Sequence, residues 1–256
     1  MNRRVAFITG VGRSEGIGAA ICRELAKDGF DILFTYWTKY DEEVSLHKKY
    51  QDPEHIQQEI LDIGVRCEKI ELNLQDTASF DKPFKFCKKQ FGCYPSVLVN
   101  NAAVSINDNL CSITPESLDD HYRINVRAVT FLTSQFVQLF EGDRGSIINL
   151  TTGWSQGPMP EELSYVLTKS AVETLTYTLA STLAEKGITI NAINPGPTNS
   201  GWMNDEIKKE ILAQSPSGRL GEPKDAANLV AFLASDRAQW VTGQVIHSEG
   251  GFRNRS

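Results

Sequence analysis

The chain of 256 residues is poor in the features that mark membrane, secreted and nucleic-acid-binding proteins. It has no stretch near the roughly 18 consecutive apolar residues that a spanning helix needs, so a membrane partner is not expected. Its opening, MNRRVAFITG, passes from two arginines into a short strand-like run and a glycine. A signal peptide's apolar run and small-residue cleavage site are missing, and a cytoplasmic location is expected. Basic runs are also missing, and the net charge is −6. Nucleic acid and anionic surfaces need concentrated positive charge, so neither is expected as a partner. The five cysteines (Cys22, Cys67, Cys87, Cys93, Cys111) show no CxxC and no Cys/His ligand spacing, which leaves no basis for a zinc or redox site. Reduced, packed thiols are expected. The four histidines, His47, His55, His121 and His247, lie far apart, and no metal site is expected. Linkers rich in glycine and serine are absent too, as are internal repeats, so residues 1–256 read as one domain.

What is present is an alternation. Seven short apolar or β-branched runs recur: VAFIT, DILFTY from Asp31, VRCEKIEL from Val65, SVLVN from Ser96, SIINLT from Ser146, ITINAI from Ile188 and QVIHS from Gln244. Between them lie helix-length segments with apolar residues three or four apart, such as Ile17, Ile21 and Leu25, or Leu118, Tyr122 and Val126. Strands separated by helices imply βαβ units. The fold class expected is therefore α/β: a doubly wound, seven-stranded parallel Rossmann sheet with helices on both faces. Two segments break the rhythm, residues 37–53 and residues 195–221, and the second leaves a strand end through PGPTNSGW in a position to fold over a ligand.

The first strand runs into TGVGRSEGIGAAI, with glycines at Gly10, Gly12, Gly16 and Gly18 where a strand must turn into a helix. Glycine permits the turn's backbone angles and lets phosphate approach the amides, and the helix start offers unpaired N–H groups to a pyrophosphate. Ile17 opens that helix. A dinucleotide site is expected here. Many NAD sites carry a carboxylate at the end of the second strand to hold the ribose; here that strand ends at Tyr36 with none. With Arg13 in the glycine loop to meet a 2′-phosphate, NADP(H) is the favoured coenzyme and NAD(H) the other.

Tyr165 and Lys169 in YVLTK stand four apart and share a helix face. An ammonium beside a phenol stabilises the phenolate, so the pair can pass a proton to or from a substrate oxygen while a nicotinamide carries the hydride.

These motifs, with NNAA at residues 100–103, INV around Asn125, NPG at residues 194–196 and RLGEPKDAANLVAFLAS near the end, resemble the short-chain dehydrogenase/reductase family in its compact single-domain form. The resemblance covers nearly the whole chain and is nearest to 3-oxoacyl-carrier-protein reductases. It implies an oxidoreductase acting on a carbonyl/alcohol pair, with Tyr165 as general acid/base and Lys169 as its activator and a ribose ligand. Asn125 would anchor a water in a proton relay. Thr152 stands at the family's substrate-orienting serine, thirteen residues before the tyrosine. Asn73, at the adenine-binding aspartate, and Leu74 would contact adenine. Asn100, Asn101, Ala102, Pro195, Gly196, Thr198 and Ser200 would line the coenzyme site. Trp154, Met159, Trp202 and Met203 would form an apolar substrate pocket.

The substrate implied is a small carbonyl or alcohol compound, with a 3-oxoacyl thioester included. However, the helix after Lys169 lacks the arginines that carrier-protein reductases place near the pocket, and an acidic chain repels an acidic carrier. A homotetramer or homodimer is implied by the resemblance. Two rival readings remain: a dinucleotide sensor without chemistry, resting on Thr152, and an enoyl reductase, resting on a glycine loop two residues longer than TGxxxGxG. The enoyl reductases have a wider Tyr-to-Lys spacing than this chain.

Overall fold

The computed structural model describes residues 4–39 and 52–252. Most of the interruption expected at residues 37–53, with His47, lies outside the described residues.

All seven expected strands form, and they pair in one parallel sheet. They are β1 (Val5–Ile8), β2 (Asp31–Tyr36), β3 (Cys67–Glu71), β4 (Val97–Asn100), β5 (Gly145–Leu150), β6 (Ile188–Asn194) and β7 (Val245–His247), in the order β3-β2-β1-β4-β5-β6-β7. The chain winds outward from β1 to β3, then returns to β4 on the other side of β1. That reversal opens a crevice above the carboxyl ends of β1 and β4, where ligands bind in open α/β sheets.

The strands are apolar on both sides because both sides are covered. In β1, Ala6 and Ile8 face one core with α1 (Ile17–Lys27), α2 (Asp52–Asp62) and the late helix Pro223–Ala234. Val5 and Phe7 face a second core with α3 (Lys82–Phe91) and the helical segment from Pro115 onward. Alternation along an extended chain sends each apolar residue to one core or the other, which produces the near-continuous hydrophobic runs of the sequence.

The helical period read at Leu118, Tyr122 and Val126 is interrupted in the structure. The segment begins as α4 (Pro115–His121), widens into a π-helical stretch over Tyr122–Ala128, and resumes as α5 (Val129–Leu139). Asn125 lies inside the widened turn, fully buried. Such widenings concentrate at functional sites.

Two more long elements shape the crevice. Helix α6 (Leu163–Ala184) carries YVLTK in its first two turns. The excursion at residues 195–221 leaves β6, forms α7 (Asp205–Gln214) and returns before α8 (Pro223–Ala234). Its two ends are tied where Asn199 N–H donates to Gly221 O at 2.8 Å and Gly221 N–H to Pro197 O at 3.3 Å. No residue of α7 is buried, so that part of the excursion lies on the surface, whereas Thr198, Ser200 and Met203 before it are buried.

Candidate active site

At the end of β1, Gly10 takes φ +73°, a conformation costly for other residues, and a Cβ there would lie 2.6 Å from Ala102 Cα. Gly18 has ordinary backbone angles but no room: a Cβ would lie 2.8 Å from Asn101 Nδ2. The glycines thus let the loop after β4 press against the turn. Asn101 Nδ2 donates to Thr9 O at 2.8 Å and Gly10 O at 2.9 Å, while the Asn101 and Ala102 amides donate to Thr9 Oγ1. Gly16 precedes α1 without a side-chain cap, and the first turn of α1 holds no acidic residue. Its amides therefore remain available to an anion.

The longer part of the glycine loop is held from outside. Ser14 N–H donates to the Asp52 carboxylate at 3.1 Å, and Arg23 donates to Ser14 O at 2.9 Å. Among the described residues the buried Ser14 hydroxyl has no hydrogen-bond partner, which leaves it able to bond a ligand oxygen. Arg13 reaches across the crevice, donating to Ser200 O at 3.4 Å. Gly12 and Ile17 stay half-buried on the loop and helix start.

At the end of β2 the structure supplies a carboxylate that the strand itself lacks. Glu71 on β3 pairs in register with Tyr36 and accepts the Thr38 N–H at 3.3 Å. Burial, with the nearby Glu71 and Glu54 charges, pushes the Tyr36 phenol above its ordinary pKa. Neither Glu71 nor Thr38 stood out in the sequence, since 33 positions separate them. Beyond β3, Asn73 turns its Oδ1 to Gln75 N–H at 2.9 Å, and Leu74 is buried.

Asn100 corrects an expectation. Expected to line the crevice, it is 2% exposed and donates to Asn149 Oδ1 at 2.8 Å and Thr133 Oγ1 at 3.4 Å. Its amide serves the sheet interior, because Asn100 and Asn149 face each other in register between β4 and β5.

Above β5 and β6 the remaining residues gather. Lys169 is 2% exposed. Its Nζ donates to Leu150 O at 2.7 Å and lies 5.6 Å from the centroid of the Tyr165 ring. Burial lowers its pKa from 10.5 to about 8. Asn125 grips the loop after β4 at Val104, accepting its N–H and donating to its carbonyl, both at 2.9 Å, and donates to Thr168 Oγ1 at 3.0 Å beside Lys169. Thr152 Oγ1 approaches Met159 Sδ at 3.8 Å. Among the described residues the buried Trp154 indole N–H has no partner, whereas Trp202 Nε1 donates to Thr198 O at 2.9 Å. Met203, Thr198 and Ser200 are buried. Gly196 adopts φ +64° with Glu249 Cβ 2.5 Å from where its own Cβ would stand, and Pro195 beside it is half-buried.

Residues 10–253 match the family model described as enoyl-(acyl carrier protein) reductase, adh_short_C2. A Bacillus subtilis (strain 168) protein called uncharacterized oxidoreductase YjdA is 47% identical, covering 97% of this chain and 96% of its own. The Staphylococcus epidermidis 3-oxoacyl-[acyl-carrier-protein] reductase FabG is 36% identical over 96% and 97%. Among solved structures, a short-chain dehydrogenase/reductase from Serratia marcescens superposes with a TM-score of 0.86 at 28% identity, covering 97% of both chains. A metagenomic blue fluorescent protein in complex with NADPH gives 0.86 at 32% identity and 98% of both. The chain belongs to the short-chain dehydrogenase/reductase family. Membership makes it a nicotinamide-dependent oxidoreductase. Among the described residues no helix is long and apolar enough to cross a membrane.

Proposed function

We propose that this member of the family, one domain over residues 1–256, reduces a small carbonyl compound with NADP(H), Tyr165 delivering the proton. The observation that carries the reading is the burial of the Lys169 ammonium beside the Tyr165 ring, on one helix face above β5. Burying a cation costs several kcal/mol in a low-dielectric site, and a purely structural position would gain more from an apolar side chain.

When bound, the coenzyme supplies the hydride to the carbonyl carbon. The protein does the rest. The uncapped start of α1, the Ser14 hydroxyl and the amides of the glycine turn would hold the pyrophosphate. Tyr36, Asn73 and Leu74 would border the adenosine, Arg13 would reach its phosphates, and Pro195, Gly196, Thr198 and Ser200 would border the nicotinamide. Thr152 Oγ1 would donate to the substrate oxygen and fix its direction. Tyr165 would donate its phenolic proton to that oxygen as the C=O becomes CH–OH. Lys169 would stabilise the phenolate left behind and bind the ribose hydroxyls. Asn125 would keep the loop after β4 and Thr168 in register with Lys169. Trp154, Met159, Trp202 and Met203 would form the apolar wall.

The five cysteines are all free thiols, consistent with a reducing compartment; a cytoplasmic enzyme is proposed. Tyr122, Phe131, Leu167 and Tyr177 stay exposed on the π stretch, α5 and α6. These helices would pair across a homodimer or homotetramer, which light scattering on purified protein measures.

The enoyl reductase reading is favoured by the family model's description and the extended glycine loop. One experiment separates the two. The purified protein is titrated with NADPH and NADH by nicotinamide fluorescence, then assayed with the tighter coenzyme against ketones, 3-oxo esters and an enoyl thioester. Oxidation of NADPH with a carbonyl compound supports the proposal. Turnover of the enoyl thioester alone replaces it, and binding without turnover of any compound favours the sensor.

A further inference from the structure

Helix α6, which carries Tyr165 and Lys169, has no cap of its own. Glu162 precedes it with a side chain that caps no amide. The first N–H groups of a helix have no partner within it and must find one elsewhere. Here that partner comes from 56 positions upstream. Asp108, on the loop after β4, accepts Leu163 N–H through its main-chain oxygen at 3.0 Å. It accepts Ser164 N–H through Oδ1 at 2.8 Å. Its Oδ2 takes the Ser164 hydroxyl at 2.5 Å and the Ser117 hydroxyl, from α4, at 2.9 Å. The carboxylate is 5% exposed, and every bond it makes is to a donor.

Burial alone would raise the Asp108 pKa, but the Ser164 hydroxyl, the Ser164 amide and the Ser117 hydroxyl outweigh it and hold the carboxyl below its ordinary value. It is therefore an anion throughout the range in which the enzyme would work. Ser164 immediately precedes Tyr165, so the clamp closes on the residue that fixes where the phenol starts. The same loop meets the glycine turn through Asn101 and Ala102 and meets Asn125 through Val104. At Ile106 its N–H donates to buried His121 Nε2 at 3.1 Å. One hydrogen-bonded strap thus links the coenzyme turn to the first turn of α6.

We propose that Asp108 is a positioning residue for Tyr165, a remote cap that fixes the first turn of α6 and so sets the phenol against Lys169 and the substrate oxygen. The proposal rests on the assignment of Tyr165 as proton donor. Its anionic charge at the helix start also opposes the positive end of the helix dipole near the phenol, so removing the charge lowers the apparent pKa of Tyr165.

The test compares Asp108→Ala, Asp108→Asn and Ser164→Ala with the parent protein by amide hydrogen exchange, by NADPH fluorescence titration, and by the pH dependence of kcat with the best carbonyl substrate of the panel above. Asp108→Ala is expected to accelerate exchange at residues 163–166 and to lower kcat about tenfold or more. NADPH affinity and the carbonyl KM should stay within about twofold. Asp108→Asn, which keeps the Oδ1 acceptor, is expected to recover most of kcat while shifting the pH profile to lower pH. If Asp108→Ala does not fold, Asp108→Asn carries the test through the pH shift and Ser164→Ala, which keeps the charge but loses the hydroxyl bond, through local exchange. Unchanged exchange at residues 163–166 overturns the cap. Faster exchange with unchanged kcat and pH profile overturns the positioning role. A Tyr165→Phe protein that keeps its activity overturns the underlying assignment instead, and does so without altering the exchange result.

Discussion

The Lys169 ammonium donates to the Leu150 carbonyl at 2.7 Å from inside the protein, where water does not reach it. The pair explains how a cation is kept under α6: one carbonyl and the face of Tyr165 stand in for a hydration shell. The substitution is incomplete, and the pKa of about 8 records the deficit.

That deficit is a stability cost with a defined pH window. Below pH 8 the lysine is charged in both folded and unfolded chains, and the full penalty of about 3 kcal/mol is present. Between pH 8 and 10.5 the unfolded chain binds more protons than the folded one, so stability rises with pH there. Lys169→Met is therefore expected to melt several degrees higher than the parent at pH 7 without coenzyme. Its advantage should shrink by pH 9.5. Calorimetry at the two pH values checks this, and a Met variant less stable at pH 7 would contradict the burial argument.

Tyr165→Phe removes the transferable proton and little else. A loss of at least about 100-fold in kcat is expected, in the range of general acid catalysis, with NADPH affinity within about twofold. Steady-state kinetics beside fluorescence titration measure both.

Thr152→Ser keeps the hydroxyl and removes a methyl, opening room near Met159, 3.8 Å from Oγ1. Its kcat/KM is expected to stay within about threefold of the parent or to rise, whereas Thr152→Ala should lose about tenfold or more through the missing donor. Equal losses in both variants would show that the methyl, not the hydroxyl, holds the substrate.

Glu71→Gln tests the coenzyme. The Glu71 carboxylate accepts the Thr38 N–H, beside the expected place of a 2′-phosphate, and like charges there repel. The substitution is expected to tighten NADPH about threefold to tenfold and NADH hardly at all. Raising salt should narrow the difference. An equal effect on both coenzymes would place the adenosine phosphate elsewhere.

Along the chain, local patterns determined a great deal. The seven strands were legible because burial on both faces writes continuous apolar runs, and the Tyr165–Lys169 pair because four positions is one helical turn. The turn at Gly10 was legible because only glycine accepts its backbone angle at low cost. Tertiary structure alone decided what spacing cannot encode. The widened turn at Asn125 carries no mark in an apolar period. Gly18 is required by Asn101, some 80 positions away, rather than by its own conformation. Asn100 turned out to face Asn149 because strand register, not sequence neighbourhood, sets its partner. Asp108 and Glu71 act on Ser164 and Thr38 across loops and strands that the fold brings together. Periodicity reports which side of an element is buried; which charge meets which amide depends on how the elements stack, and that is settled only when the sheet closes its cores.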